Sequence, residues 1–168
     1  LLPPLARFFA RFGQNERSLF GFLLSGEPFA LQPFSERAHV GEAWYTIGDF
    51  YDYVRSNFGH RLTGQSYQSQ WLRIANTVDA LSDRAPLELK IAKTVGLLNL
   101  LDADDLLPTK RAIYACLSTF AETDIDHAVE RLERDGILFS RGERSGFRLW
   151  RHASVNLVAA FDNAKRAL

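Results

Sequence analysis

The stretch from Pro86 to Leu101 constrains this chain most. Leu87, Ile91, Val95, Leu98 and Leu101 recur at helical spacing, and apolar residues fall on more than one face. A helix of that kind has to be surrounded by protein, so it is expected at the centre of the fold. Pro86 opens it where a missing N–H costs little, and Asp102-Ala103-Asp104-Asp105 reads as the turn after it.

Beyond that turn the elements fall in a recognisable order. Leu107-Pro108-Thr109 starts a short helix with Ile113, Cys116, Leu117 and Phe120. Thr123, with Asp126 at the box position, is expected to cap a third helix that buries Ile125, Val129 and Leu132 and ends at Gly136. Residues 137–141 and 146–150 read as two short strands around the turn Gly142-Glu143-Arg144-Ser145. A last amphipathic helix carries Leu157, Val158, Phe161, Ala164 and Leu168. Helix, short helix, helix and hairpin, in that order, predict a winged helix.

The first half is read as all-helical. Leu5, Phe8, Phe9, Phe12, Leu19, Phe20 and Leu23 predict one amphipathic helix over 4–25, with Gly13 a weak point inside it. Residues 28–45 show no clean period and are expected to form a packed, ordered loop anchored by Phe29, Leu31 and Phe34. Thr46 and Asp49 form a capping-box pattern ahead of Phe50, Tyr53, Val54 and Phe58. A further helix over 67–82 should bury Trp71, Ile74, Ala75, Val78 and Leu81. The expected fold is mainly α: a helical lobe with a long ordered loop over 1–85, and a winged helix-turn-helix domain over 86–168 with one β-hairpin wing and a C-terminal helix.

The 168 residues are 46% apolar and 24% charged, which suits a globular chain. Lysine plus arginine and aspartate plus glutamate both number 20, which excludes a basic protein but not a local basic patch. No apolar run approaches the roughly 20 residues of a membrane span, so no membrane partner is expected. The single cysteine, Cys116, excludes an internal disulfide and a Cys-rich zinc site. Methionine is absent even at position 1, which reads as a mature product or, preferably, a fragment of something longer.

Catalytic patterns are scarce. A phosphate-binding loop needs a lysine after a glycine, and none of Lys90, Lys93, Lys110 and Lys165 follows one. His39, His60, His127 and His152 lack the spacing of helical metal ligands. Cys116 could act as a nucleophile beside His127, but its place on an apolar stripe favours a small buried hydrophobe. Asp102, Asp104 and Asp105 read as a solvated turn ahead of a helix N-terminus rather than a metal loop. No catalytic, cofactor-binding or metal-ligating residue is assigned.

Charge decides how a winged helix could be used. Residues 119–136, the candidate reading helix, hold six carboxylates against Arg131 and Arg134, a net charge of −4 (2 − 6). Carboxylates facing phosphate repel it and release no counterions, so base reading by this helix is disfavoured. Residues 137–151 carry Arg141, Arg144, Arg148 and Arg151 against Glu143, a net +3 (4 − 1). These four arginines are candidate contacts to a nucleic acid or a protein partner, with plain solvation the alternative. The first helix is unusually aromatic, and Phe8, Phe12, Gln14, Asn15 and Arg17 are candidate interdomain contacts; two-sided packing within the chain is the alternative.

The run Arg11-Phe12-Gly13-Gln14-Asn15-Glu16-Arg17-Ser18-Leu19-Phe20-Gly21-Phe22-Leu23-Leu24-Ser25-Gly26-Glu27-Pro28 resembles a segment of large bacterial P-loop ATPases of the AAA/STAND type. Phe147-Arg148-Leu149-Trp150, leading into an amphipathic helix, is similar to the same architecture. In that family the nucleotide-binding core lies upstream, followed by a helical region and a winged helix. The resemblance implies a piece that couples nucleotide state to a neighbour without binding nucleotide itself. The expected function is a non-catalytic regulatory or interaction module of a larger cytoplasmic, ATP-binding bacterial protein. Its partners would be other domains of the same polypeptide or a separate protein. The alternative is DNA binding through the wing.

Overall fold

The computed structural model describes residues 1–13, 16–37, 44–64 and 67–149, the side chains of residues 16 and 17 aside. The expected C-terminal helix, Trp150 and Arg151 lie outside the described residues, as do Gln14 and Asn15. The described residues form eight helices and one two-stranded antiparallel sheet, so the chain is mainly helical.

The N-terminal segment is two helices rather than one. Helix α1 (Leu2–Phe12) stops at Gly13, whose backbone is extended, and α2 (Glu16–Leu24) starts afresh. A side chain at Gly13 would stand 2.5 Å from the Phe9 carbonyl oxygen, so only glycine accepts this sharp exit from the helix. The expected loop over 28–45 contains a third helix, α3 (Leu31–Arg37). Pro33 sits in its first turn, where the missing N–H breaks no helical bond.

Helix α4 (Ile47–Thr63) begins as its sequence predicts. Thr46 Oγ1 accepts from the Asp49 backbone N–H, and Asp49 Oδ2 accepts from the Thr46 N–H at 2.8 Å. Phe50, Tyr53, Val54 and Phe58 are buried, and so are Trp71, Ile74, Ala75 and Val78 of α5 (Gln68–Asp79), with Leu81 just beyond it.

Helix α6 (Pro86–Leu101) takes the central position. Its Ile91, Ala92, Val95, Leu97 and Leu100 are fully buried. It packs against α1, α4 and α5, and also against α7 (Lys110–Cys116), α8 (Glu122–Arg134) and strand β2. Gly96 makes this possible. A Cβ there would lie 2.7 Å from Ile74 Cγ2 and 2.9 Å from Leu149 Cδ1, so α5 and the hairpin both close onto bare backbone. Lys93 reaches Asp52 of α4 at 2.7 Å and adds a polar tie to the same interface.

Helix α8 corrects one expectation. Its N-cap is Ala121, without a side-chain bond, and Thr123 lies inside the first turn. Ile125, Val129 and Leu132 are buried as the spacing predicts. Strands β1 (Leu138–Ser140) and β2 (Phe147–Leu149) then pair antiparallel, with Leu138 opposite Leu149 and Phe139 opposite Arg148. The order α6, α7, α8, β1, β2 is thus the helix, short helix, helix, hairpin order read from the sequence.

Candidate functional site

The hairpin is held by its inner face and offers its outer one. Leu138 and Phe147 are buried, while Phe139 and Arg148, opposite one another, point outward. Asn99 of α6 fixes its position: its amide donates to the Phe147 carbonyl and its carbonyl oxygen accepts from the Leu149 N–H, both at 3.0 Å. The Phe147 N–H donates to the Pro108 carbonyl at 2.9 Å, which ties the hairpin to the start of α7. Gly146, at φ +68°, permits that contact, since a Cβ would stand 2.6 Å from Pro108 backbone.

At the outer end, Arg141 and Arg144 are exposed and form no ion pair among the described residues. Arg148 lies 3.5 Å from Asp102, a half-exposed pair of little strength. Phe139, 56% exposed, sits beside these charges on the outer face. The predicted arginines that can be described are therefore gathered on one hairpin with an aromatic ring among them.

Helix α8 is electrostatically opposite. Arg131 is taken up by Glu88 at 2.5 Å, and Arg84 bridges Glu88 and Asp135. Asp126 accepts from Lys110 Nζ at 2.8 Å and from the Tyr114 hydroxyl, and these two donors hold its carboxyl below the usual range. Glu122, Asp124, Glu130 and Glu133 form no ion pair among the described residues. Glu133 is pushed up by burial and by the neighbouring Glu130 carboxylate.

The first helix faces inward. Phe8 is fully buried, with its ring centroid 5.0–5.5 Å from those of Phe9, Phe12, Phe50 and Phe58. Phe12 packs on Tyr67 at 4.9 Å, and the Arg11 guanidinium covers that same tyrosine ring at 4.8 Å. Apart from Leu1 and Leu2 at its start, α1 hides its large apolar side chains, whereas α2 exposes several of its own. There Phe20 is 55% and Leu24 70% exposed, one helical turn apart, with Leu19 beside them. Periodicity alone missed this surface because it ran α1 and α2 together; the polar Gly13-Gln14-Asn15 break was the available signal. The side chain of Arg17, on the same helix, lies outside the described residues.

The remaining candidates form no reactive group. Cys116 is half-buried, and burial pushes its thiol up, which disfavours the thiolate a nucleophile needs. His127 is exposed on α8. Arg7, Arg11, Leu101, Asp102, Asp104 and Asp105 line an open cleft of about 630 Å³. In it Arg7 pairs with Asp105 at 2.8 Å and Arg11 donates to the Leu101 carbonyl. No set of three His, Cys, Asp or Glu side chains among the described residues is arranged to hold a metal ion. No helix among them is long and apolar enough to cross a membrane.

No protein-family model, curated protein or solved structure matches the chain.

Proposed function

We propose that the chain is a non-catalytic regulatory or interaction module in which α6, α7, α8 and the hairpin act as a winged-helix scaffold. In this reading it serves a larger, ATP-binding cytoplasmic protein of bacterial origin and contacts other domains of that polypeptide. The observation that carries the reading is α2. A two-turn helix that buries Phe22 yet leaves Phe20, Leu24 and Leu19 in water is apolar beyond what its own core requires. The resemblance of residues 11–28 to P-loop ATPases supports the choice of parent. The acidic outer surface of α8 supports protein contact over groove reading.

The test is calorimetric titration of the chain against the region that precedes Leu1 in the gene product. Binding is expected, and the double substitution Phe20→Ser, Leu24→Ser should weaken it at least about tenfold, or ~1.4 kcal/mol. The melting temperature should not fall. Absence of heat with the unsubstituted chain refutes the reading.

A second reading rests on the hairpin alone. Arg141, Arg144, Arg148 and the exposed Phe139 ring could grip DNA by phosphate contact and base stacking. This reading requires oligonucleotide binding that weakens steeply with salt and is lost when the three arginines become alanine. No binding at low salt removes it.

A further inference from the structure

The acidic side of α8 and the hairpin tip are complementary surfaces, and among the described residues each is largely unmatched. Glu122, Asp126, Glu130 and Glu133 recur at i, i+4, i+8 and i+11, which places them along one side of α8. Like charges at that spacing repel one another and weaken a helix. Glu130 and Glu133 also fall in the second half of α8, where negative charge opposes the helix dipole. Within the described residues only Asp126 of the four has a cation, Lys110. Arg111 and Arg134 are exposed but form no ion pair with the row, and Arg131 is committed to Glu88 on another side.

The hairpin tip has the converse shortage. Among the described residues Arg141 and Arg144 form no ion pair with a carboxylate, and Phe139 is 56% exposed. Each chain therefore displays a cationic hairpin with an exposed aromatic ring on its outer face and an acidic helix side, and among the described residues the first does not neutralise the second. We infer that the hairpin tip of one chain docks on the acidic side of α8 in a second copy, with Arg141 and Arg144 meeting Glu130 and Glu133. Both surfaces belong to consecutive elements, so a two-fold arrangement lets each chain give its tip and receive its partner's, closing the pair. The inference rests on reading the chain as an interaction module and names one partner for it, the chain itself.

Sedimentation velocity of the full 168-residue chain tests this across protein concentration and at two salt levels. In low salt the weight-average sedimentation coefficient should rise with concentration towards that of a pair. At about 0.3 M salt, where exposed charges are screened within several ångströms, the rise should vanish. The double variant Arg141→Glu, Arg144→Glu should stay monomeric, and so should Glu130→Lys, Glu133→Lys. All four positions are exposed, and circular dichroism melts should show both variants folded. An equimolar mixture of the two should associate again, because reversal on both sides restores both contacts of the pair. A monomeric chain at every concentration in low salt overturns the inference. Association that survives either reversal, or a mixture that stays monomeric, also overturns it. A monomer that still binds the region preceding Leu1 would remove the self-pairing and leave the interaction-module reading standing.

Discussion

Replacing Gly96 by alanine tests the packing on which the whole arrangement depends. In an ordinary helix interior, glycine to alanine stabilises by about 0.8–1 kcal/mol through backbone entropy. At Gly96 the new methyl would stand 2.7 Å from Ile74 Cγ2 and 2.9 Å from Leu149 Cδ1. Leu149 can swing its terminal methyl aside. Ile74 cannot do so easily, because its branched Cβ restricts χ1 and Cγ2 lies close to the α5 backbone. Overpacking of this kind costs about 1–3 kcal/mol, so after the entropy gain the net expectation is a loss of up to about 2 kcal/mol. For a chain of this size that lowers the melting temperature by up to about 8 °C, at roughly 2–4 °C per kcal/mol. Urea unfolding followed by circular dichroism measures it. The internal control is Gly59→Ala in α4, where the added Cβ would meet only Trp71 at 3.9 Å. That substitution should stabilise the chain. Adding Leu149→Ala to Gly96→Ala should recover part of the loss as a positive coupling. If Gly96→Ala stabilises as much as Gly59→Ala does, the close approach of α5 and β2 to α6 is refuted.

The same geometry predicts three further outcomes. Thr94 is fully buried and its hydroxyl has no hydrogen-bond partner among the described residues, so Thr94→Val should raise stability by about 1 kcal/mol in urea unfolding, an unpaired polar atom being removed at constant shape. Glu88 is only 4% exposed and is held by Arg131 and Arg84; Glu88→Gln should lower stability by ~1–2 kcal/mol, discounted because both arginines are partly in water. Burial, as the first cause, raises the phenol groups of Tyr45, Tyr51 and Tyr53 above 10.0, so the folded state favours their protonated forms. Their contribution to stability is intact below the unfolded value near 10 and is lost as pH climbs from there towards the folded values. Ultraviolet titration should show the buried Tyr51 and Tyr53 ionising together with unfolding; independent ionisation of both in the folded chain would refute their burial.

Local signals in the sequence carried much of the fold. The multi-faced apolar pattern of 86–101 needs no partner to be read, and it placed α6 at the centre. The Thr46–Asp49 box is likewise a matter of four neighbouring residues. Failures came where local signals compete or are short. Thr123 and Ala121 stand two residues apart at a helix start, and the polar residue was not the cap. Helix α3 spans seven residues, too few for a period to declare itself, and Pro33 resembles a breaker unless its place in the first turn is known. In the candidate site, the arginine content of the hairpin was legible as charge. The exposed side of α2 was not, because it depends on the path the chain takes after Gly13. Nor was the neutralisation of Arg131, whose partner Glu88 lies 43 residues away along the chain.

The amide of Asn99 has a mechanical consequence. It grips β2 at two backbone atoms in the last turns of the central helix, so the projecting ribbon is anchored to the spine of the molecule rather than hinged on its surface. A force applied at residues 142–145 is thus delivered to α6. Helix α6 is in turn tied by Lys93 and Asp52 to α4, whose Phe50 and Tyr53 rings stack on one another. Whatever seizes the tip pulls on the keel.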